Sequence, residues 1–79
     1  MALATTEKEL ADKTARFLKA ELKRAGVTYA ELAKRLKAHG MQETEASVTN
    51  KLSRGTLTAT FLLASIAALG LSGVALSDL

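Results

Sequence analysis

The 23 residues from Gly55 to Ser77 carry no charge. A stretch of that length can cross a hydrocarbon core about 30 Å thick. It therefore limits the chain to a membrane anchor, the buried helix of a small domain, or an apolar working surface. Nine strongly apolar residues (Leu57, Phe61, Leu62, Leu63, Ile66, Leu69, Leu71, Val74 and Leu76) favour insertion, while Thr58, Thr60, Ser65, Gly70, Ser72 and Gly73 oppose it. Local signals also divide the stretch. Thr58 can cap a helix start, Gly70 falls where a left-handed terminating residue would sit, and Ser72 can cap a second, shorter helix. A helix from Ala59 to Leu69 would be only about 16 Å long at 1.5 Å per residue. No Trp, Tyr or basic anchor follows it, and Asp78 would have to cross. The expectation is a core helix with an apolar tail, and a tail-anchored membrane protein is the lesser alternative.

The 79 residues suffice for one small domain over 1–79, with a core from 6 to 72 and an apolar tail from 73 to 79. Alanine and leucine dominate, proline is absent, and Phe17, Tyr29 and Phe61 are the only aromatics, so helix is favoured throughout. The absence of cysteine removes disulfides and thiolate sites and fits a reducing, cytoplasmic compartment. The first ten residues, MALATTEKEL, have neither a basic leader nor an apolar run, so no secretory signal is expected.

Capping signals set the remaining elements. Thr6 with Glu9 has capping-box spacing, and Leu10, Thr14, Phe17, Leu18, Leu22 and Ala25 then form a helical stripe that Gly26 stops. Glu9–Lys13 and Asp12–Arg16 are at i,i+4 spacing on the opposite side. Thr28 with Glu31 repeats the box, and Val27 and Leu32 are placed as a hydrophobic staple for a helix from Tyr29 to about His39. Gly40 ends that helix, and Met41 can fold back onto it. Thr44 can cap a third helix, whose narrow apolar face is Val48 and Leu52. The predicted fold is all-α, a small bundle of four to five helices.

All eleven basic residues lie between Lys8 and Arg54, where six carboxylates oppose them and leave a balance of +5. That asymmetry points to a polyanion or an anionic membrane surface. On a helical wheel Ala46, Ser47, Asn50 and Arg54 face away from Val48 and Leu52, with Lys51 beside them. Two capped helices joined by a glycine-containing turn, the second with a polar front, meet the needs of a helix-turn-helix entering a major groove about 12 Å wide. On spacing alone a solvated structural helix accounts for the same pattern. Catalysis is not expected, because no nucleophile, oriented base and oxyanion site come together. His39, with no other histidine or cysteine, implies no metal site, no cofactor is implied, and no small-molecule substrate is evident.

The runs VTYAELAKRL, ASVTNKLSRG and FLLASIAALGLS resemble the phage-repressor-like helix-turn-helix superfamily, which includes Cro and lambda-repressor-type regulators. Ala33 matches the brace-helix alanine, Val48 and Leu52 match inward positions of the reader, and Ile66 to Ser72 match the leucine-glycine-apolar-serine end. More narrowly, the same segments look like a family of small uncharacterised bacterial proteins. Between Ala33 and Val48 the chain has about five residues more than the superfamily's usual spacing, so the second helix is longer or the turn wider, an extended turn in either case. The superfamily's proline after the reader is missing, and Glu43 and Glu45 bring carboxylates to the reader's start, where they repel phosphate unless one accepts from cytosine. The resemblance implies a bacterial, phage or mobile-element regulator that binds a palindromic double-stranded operator as a homodimer, most simply as a repressor. Ser47 and Asn50 would read bases and Ala46 would approach closely. Lys51 and Arg54 would hold phosphates, assisted by Lys34 or Arg35, with Thr44 at the reader's start. Leu71, Val74, Leu76 and Leu79 are the candidate dimer contacts, and covering the core accounts for the same residues equally well. The alternative is a protein-interaction module of the same shape that does not bind DNA.

Overall fold

The computed structural model describes residues 4–79; residues 1–3 of the expected single domain, which are also the first three of the ten read above for a secretory signal, lie outside the described residues. Four α-helices follow in order, α1 (Glu7–Ala25), α2 (Tyr29–Leu36), α3 (Glu45–Arg54) and α4 (Ala59–Ala68). Short 3-10 turns occupy Lys37–His39 and Leu76–Asp78. The protein is a small all-α bundle, without a strand among the described residues.

Each helix begins on a threonine whose hydroxyl accepts from the backbone N–H three residues on: Thr6 from Glu9, Thr28 from Glu31, Thr44 from Ser47 and Thr58 from Phe61, each at 3.1 Å. These bonds satisfy donors that the helix itself leaves unpaired. The connection between α2 and α3 holds the largest departure from the expected helix ends. α2 stops at Leu36, its continuation tightens into the Lys37–His39 turn, and Gly40 at φ 77° reverses the chain. A left-handed residue there lets the Met41 N–H return 3.1 Å to the Leu36 carbonyl, a conformation that a side chain at position 40 would oppose.

The core is one cluster built from Ala15, Leu18 and Leu22 of α1, Val27, Leu32, Ala33 and Leu36 around α2, Val48 and Leu52 of α3, and Phe61 of α4. Fully burying a leucine, valine or phenylalanine contributes roughly 1.5–3 kcal/mol, so this cluster is the main stabilising term. The expected α1 stripe is partly corrected. Leu10 and Ala25 are exposed, and Ala15 takes an inward position instead. Asp12 pairs with Lys8 at 3.2 Å rather than with Arg16. The helix expected after Ser72 does not form. Ser72 is exposed, and only the Leu76–Asp78 turn follows, closed by the Ala75 N–H donating to the Asp78 carboxylate at 2.9 Å. No helix among the described residues is long and apolar enough to cross a membrane.

Candidate nucleic-acid interface

α3 is a ten-residue helix packed against α2 and, more lightly, against α1. Only Val48 and Leu52 are fully inward, so every other side chain is available for capping, pairing or contact. Ala46, Asn50, Ser53 and Arg54 are exposed and share the outer arc of the helix. Asn50 and Arg54 have no hydrogen-bond or ion-pair partner among the described residues. Ser53 lies outside the expected set, although its wheel position beside Ala46 and Asn50 marks it.

Ser47, expected to read bases, is half-buried and bonded within the cap of α3. Its hydroxyl accepts from the Thr44 N–H at 2.9 Å and donates to Glu43 Oε1 at 2.6 Å. Thr44 Oγ1 in turn accepts from the Ser47 N–H, which completes a reciprocal cap. Both hydroxyls are therefore engaged at the start of α3. Lys51 is likewise tied inward. Its ammonium lies 2.5 Å from Glu43 Oε2 and 5.0 Å from the centre of the Phe61 ring. Glu43, expected as a repulsive carboxylate facing phosphate, is instead buried, with a side chain only 6% exposed. Burial raises its carboxyl group's pKa, but hydrogen bonds from Lys51 and Ser47, together with the Lys51 charge, outweigh that and hold it below the usual value.

The two assisting cations also separate. Lys34 is exposed and has no partner among the described residues. Arg35 bonds Glu31 at 3.4 Å and donates to the Ala68 carbonyl at 3.3 Å, so it clamps α2 to the C-terminal end of α4. The expected set thus divides into an outward group (Ala46, Asn50, Arg54 and Lys34) and a scaffold group (Thr44, Ser47, Lys51 and Arg35). Eight residues, 37–44, separate α2 from α3. A tight helix-turn-helix uses three or four, so the extended turn is present.

The tail residues are not equivalent. Leu71 and Leu76 are exposed, at 36% and 69%, whereas Val74 and Leu79 are half-buried. Leu71 and Leu79 line a groove of about 660 Å³ against Phe17, Arg16 and Arg24 of α1. A second groove, of about 510 Å³, lies between Leu10 of α1 and Leu57 and Leu62 around the start of α4.

A small all-α domain with one short, capped, polar-fronted helix is the class these features define. The chain belongs to the family described as Domain of unknown function (DUF6471), whose model matches residues 10–74 and so takes in α2, α3, α4 and most of α1. No curated protein and no solved structure matches it.

Proposed function

We propose that the protein binds double-stranded DNA through the outer face of α3 and acts as a cytoplasmic transcriptional regulator, a repressor on two half-sites bound by a homodimer. One observation carries this reading: α3 is pinned by its cap and by Lys51, while Asn50 and Arg54 point outward, exposed and without partners among the described residues. The resemblance of the brace and reader segments to phage-repressor-like regulators supports it. Asn50 supplies an amide suited to adenine, Ala46 permits close approach, and Arg54 and Lys34 supply phosphate contacts. Ser47, Thr44, Lys51 and Arg35 serve by holding the reader helix in place.

Selection of bound fragments from random duplex DNA, followed by gel shifts of variants, tests the assignment. Asn50→Ala should relax sequence preference, and Arg54→Ala should weaken all duplexes alike and lower the salt slope by about one. Unchanged binding in both variants would remove α3 as the reader. A protein-interaction module keeps one specific argument, the exposed Glu45 at the start of α3. It would show no steep salt dependence when titrated with duplex DNA.

A further inference from the structure

The fold's own ion pairs use up charge unevenly. Asp12, Glu21, Glu31 and Glu43 are each held by a cation, Lys8, Arg24, Arg35 and Lys51 in turn. On α1 the pairing of Asp12 with Lys8 leaves Arg16, one turn further on, without the carboxylate its spacing offered. Arg16, Lys19 and Lys23 are all exposed, and none has a hydrogen-bond or ion-pair partner among the described residues. They share one face, within about 60° on a helical wheel, and span about 10 Å of the axis at 1.5 Å per residue. No carboxylate of α1 opposes them. Glu9 and Asp12 precede the row and are bonded to Thr5 and Lys8, while Glu21 bonds Arg24 at 2.6 Å. Asp78 lines the groove beside Arg16, but its carboxylate accepts from the Ala75 N–H.

We propose that this row on α1 holds the phosphate backbone of duplex DNA, as a surface separate from the outer face of α3. A duplex carries one negative charge about every 1.7 Å of its axis, so three fixed cations over about 10 Å meet phosphates along their whole length. The chemistry of the face selects this partner over others. The centre of a protein interface is depleted of charge, whereas here charge is the whole surface and Ala20 is the one exposed apolar side chain beside it on α1. A helix that lies on a membrane inserts its apolar face, and that of α1, formed by Ala15, Leu18 and Leu22, is buried in the core. Single strands are held by stacking on aromatic rings, which the row lacks. Contacts to phosphate carry no base information, so the row adds affinity for any duplex. The inference goes beyond the reading of α3, and its evidence is the α1 face alone.

Fluorescence anisotropy of a labelled duplex of arbitrary sequence, titrated with the full chain from about 50 to about 200 mM salt, tests it. The triple variant Arg16→Gln, Lys19→Gln, Lys23→Gln should flatten the slope of log K against log salt by roughly 2–3, since each phosphate contact contributes about 0.9. Its helical circular dichroism should be unchanged, because all three positions are exposed. Should the triple variant lose helix, the single variants decide: each flattening the slope by about one supports the inference, and none doing so overturns it. A folded triple variant with the wild-type slope overturns it as well. So does a wild-type chain that binds phosphatidylcholine–phosphatidylglycerol vesicles through this row and no duplex. Arg54→Ala keeps the two readings apart. A wild-type slope in the triple variant, beside a slope lowered by about one in Arg54→Ala, ends only this inference. The reverse pattern ends only the reading of α3, and a wild-type chain that binds no duplex ends both.

Discussion

The Lys51 ammonium lies 2.5 Å from the Glu43 carboxylate, an ion pair eight residues apart that joins α3 to the segment leading into it. The pair is unlike the exposed i,i+4 bridges of α1 and α2, because the Glu43 side chain is 6% exposed and Lys51 stands over the Phe61 ring. Removing one partner leaves the other charge buried and uncompensated, which costs about 3–5 kcal/mol for a fully buried pair. Lys51 keeps 30% exposure, so about 1–3 kcal/mol is expected for Lys51→Met, a change that preserves the apolar stem. The double variant Glu43→Gln, Lys51→Met should recover part of that loss, since neither charge remains. Urea unfolding of the four chains measures the coupling. A Lys51→Met chain as stable as wild type would show that the pair is solvated and holds nothing.

The same carboxylate predicts a pH dependence. Its folded pKa lies below the ordinary 4.5 because the bonds from Lys51 and Ser47 outweigh burial. In acid the unfolded chain then binds the proton first, so the contribution is complete above about pH 4.5 and is lost as pH falls through the folded value. The difference in melting temperature between wild type and Glu43→Gln should thus be positive near pH 7 and shrink as the solution is acidified below about pH 4.5. Glu9, also lowered by hydrogen bonds from the Thr5 backbone and side chain, is present in both chains and cancels from the comparison. A difference that stays constant into acid would assign the stability to side-chain packing at position 43 rather than to charge.

Ser47 and Asn50 should separate stability from recognition. Ser47→Ala deletes the half of the reciprocal cap made by its hydroxyl and the Glu43 bond, leaves the Ser47 N–H bond to Thr44, and should lower stability by about 1 kcal/mol, which is about 4–8 °C for a domain this small. If α3 reads DNA as proposed, the DNA sequences selected by Ser47→Ala should match those of wild type. Asn50→Ala should do the opposite, melting with wild type while losing sequence preference. The crossed pattern, with Ser47→Ala altering selection and Asn50→Ala altering only melting, would reverse the two assignments.

The helices are legible in the sequence because their signals are local. Thr6, Thr28, Thr44 and Thr58 each bond a backbone N–H three residues away, so neither the cap nor its partner depends on tertiary structure. The phase of α1 is less legible. Leu10 and Ala25 continue the stripe but are exposed, while Ala15, which a stripe-based reading omits, reaches the core. Ser72 carries a capping side chain, yet a cap cannot sustain a helix whose following residues find little to pack against. The Glu43 latch is present only as spacing. Residues 43, 47 and 51 recur every four positions, but Glu43 precedes the helix, so a wheel drawn for α3 leaves it out. Burial of Glu43 is a tertiary fact, and it turns a carboxylate expected to repel phosphate into the element that steadies α3.

Ser65 tests the packing beneath α4 most directly. It is fully buried between the Phe61 and Leu69 positions of the helix, and its hydroxyl has no hydrogen-bond partner among the described residues. A buried hydroxyl without a partner costs about 1–3 kcal/mol of desolvation, and alanine is in addition the better helix former. Ser65→Ala removes one oxygen and leaves a space too small to be a serious cavity. The variant should therefore match wild type or gain up to about 1 kcal/mol, read as an unchanged or higher urea midpoint at constant slope. A loss of similar size would mean that the hydroxyl bonds a group inside the core, and the side of α4 facing α2 would then be held by polarity as well as by Phe61.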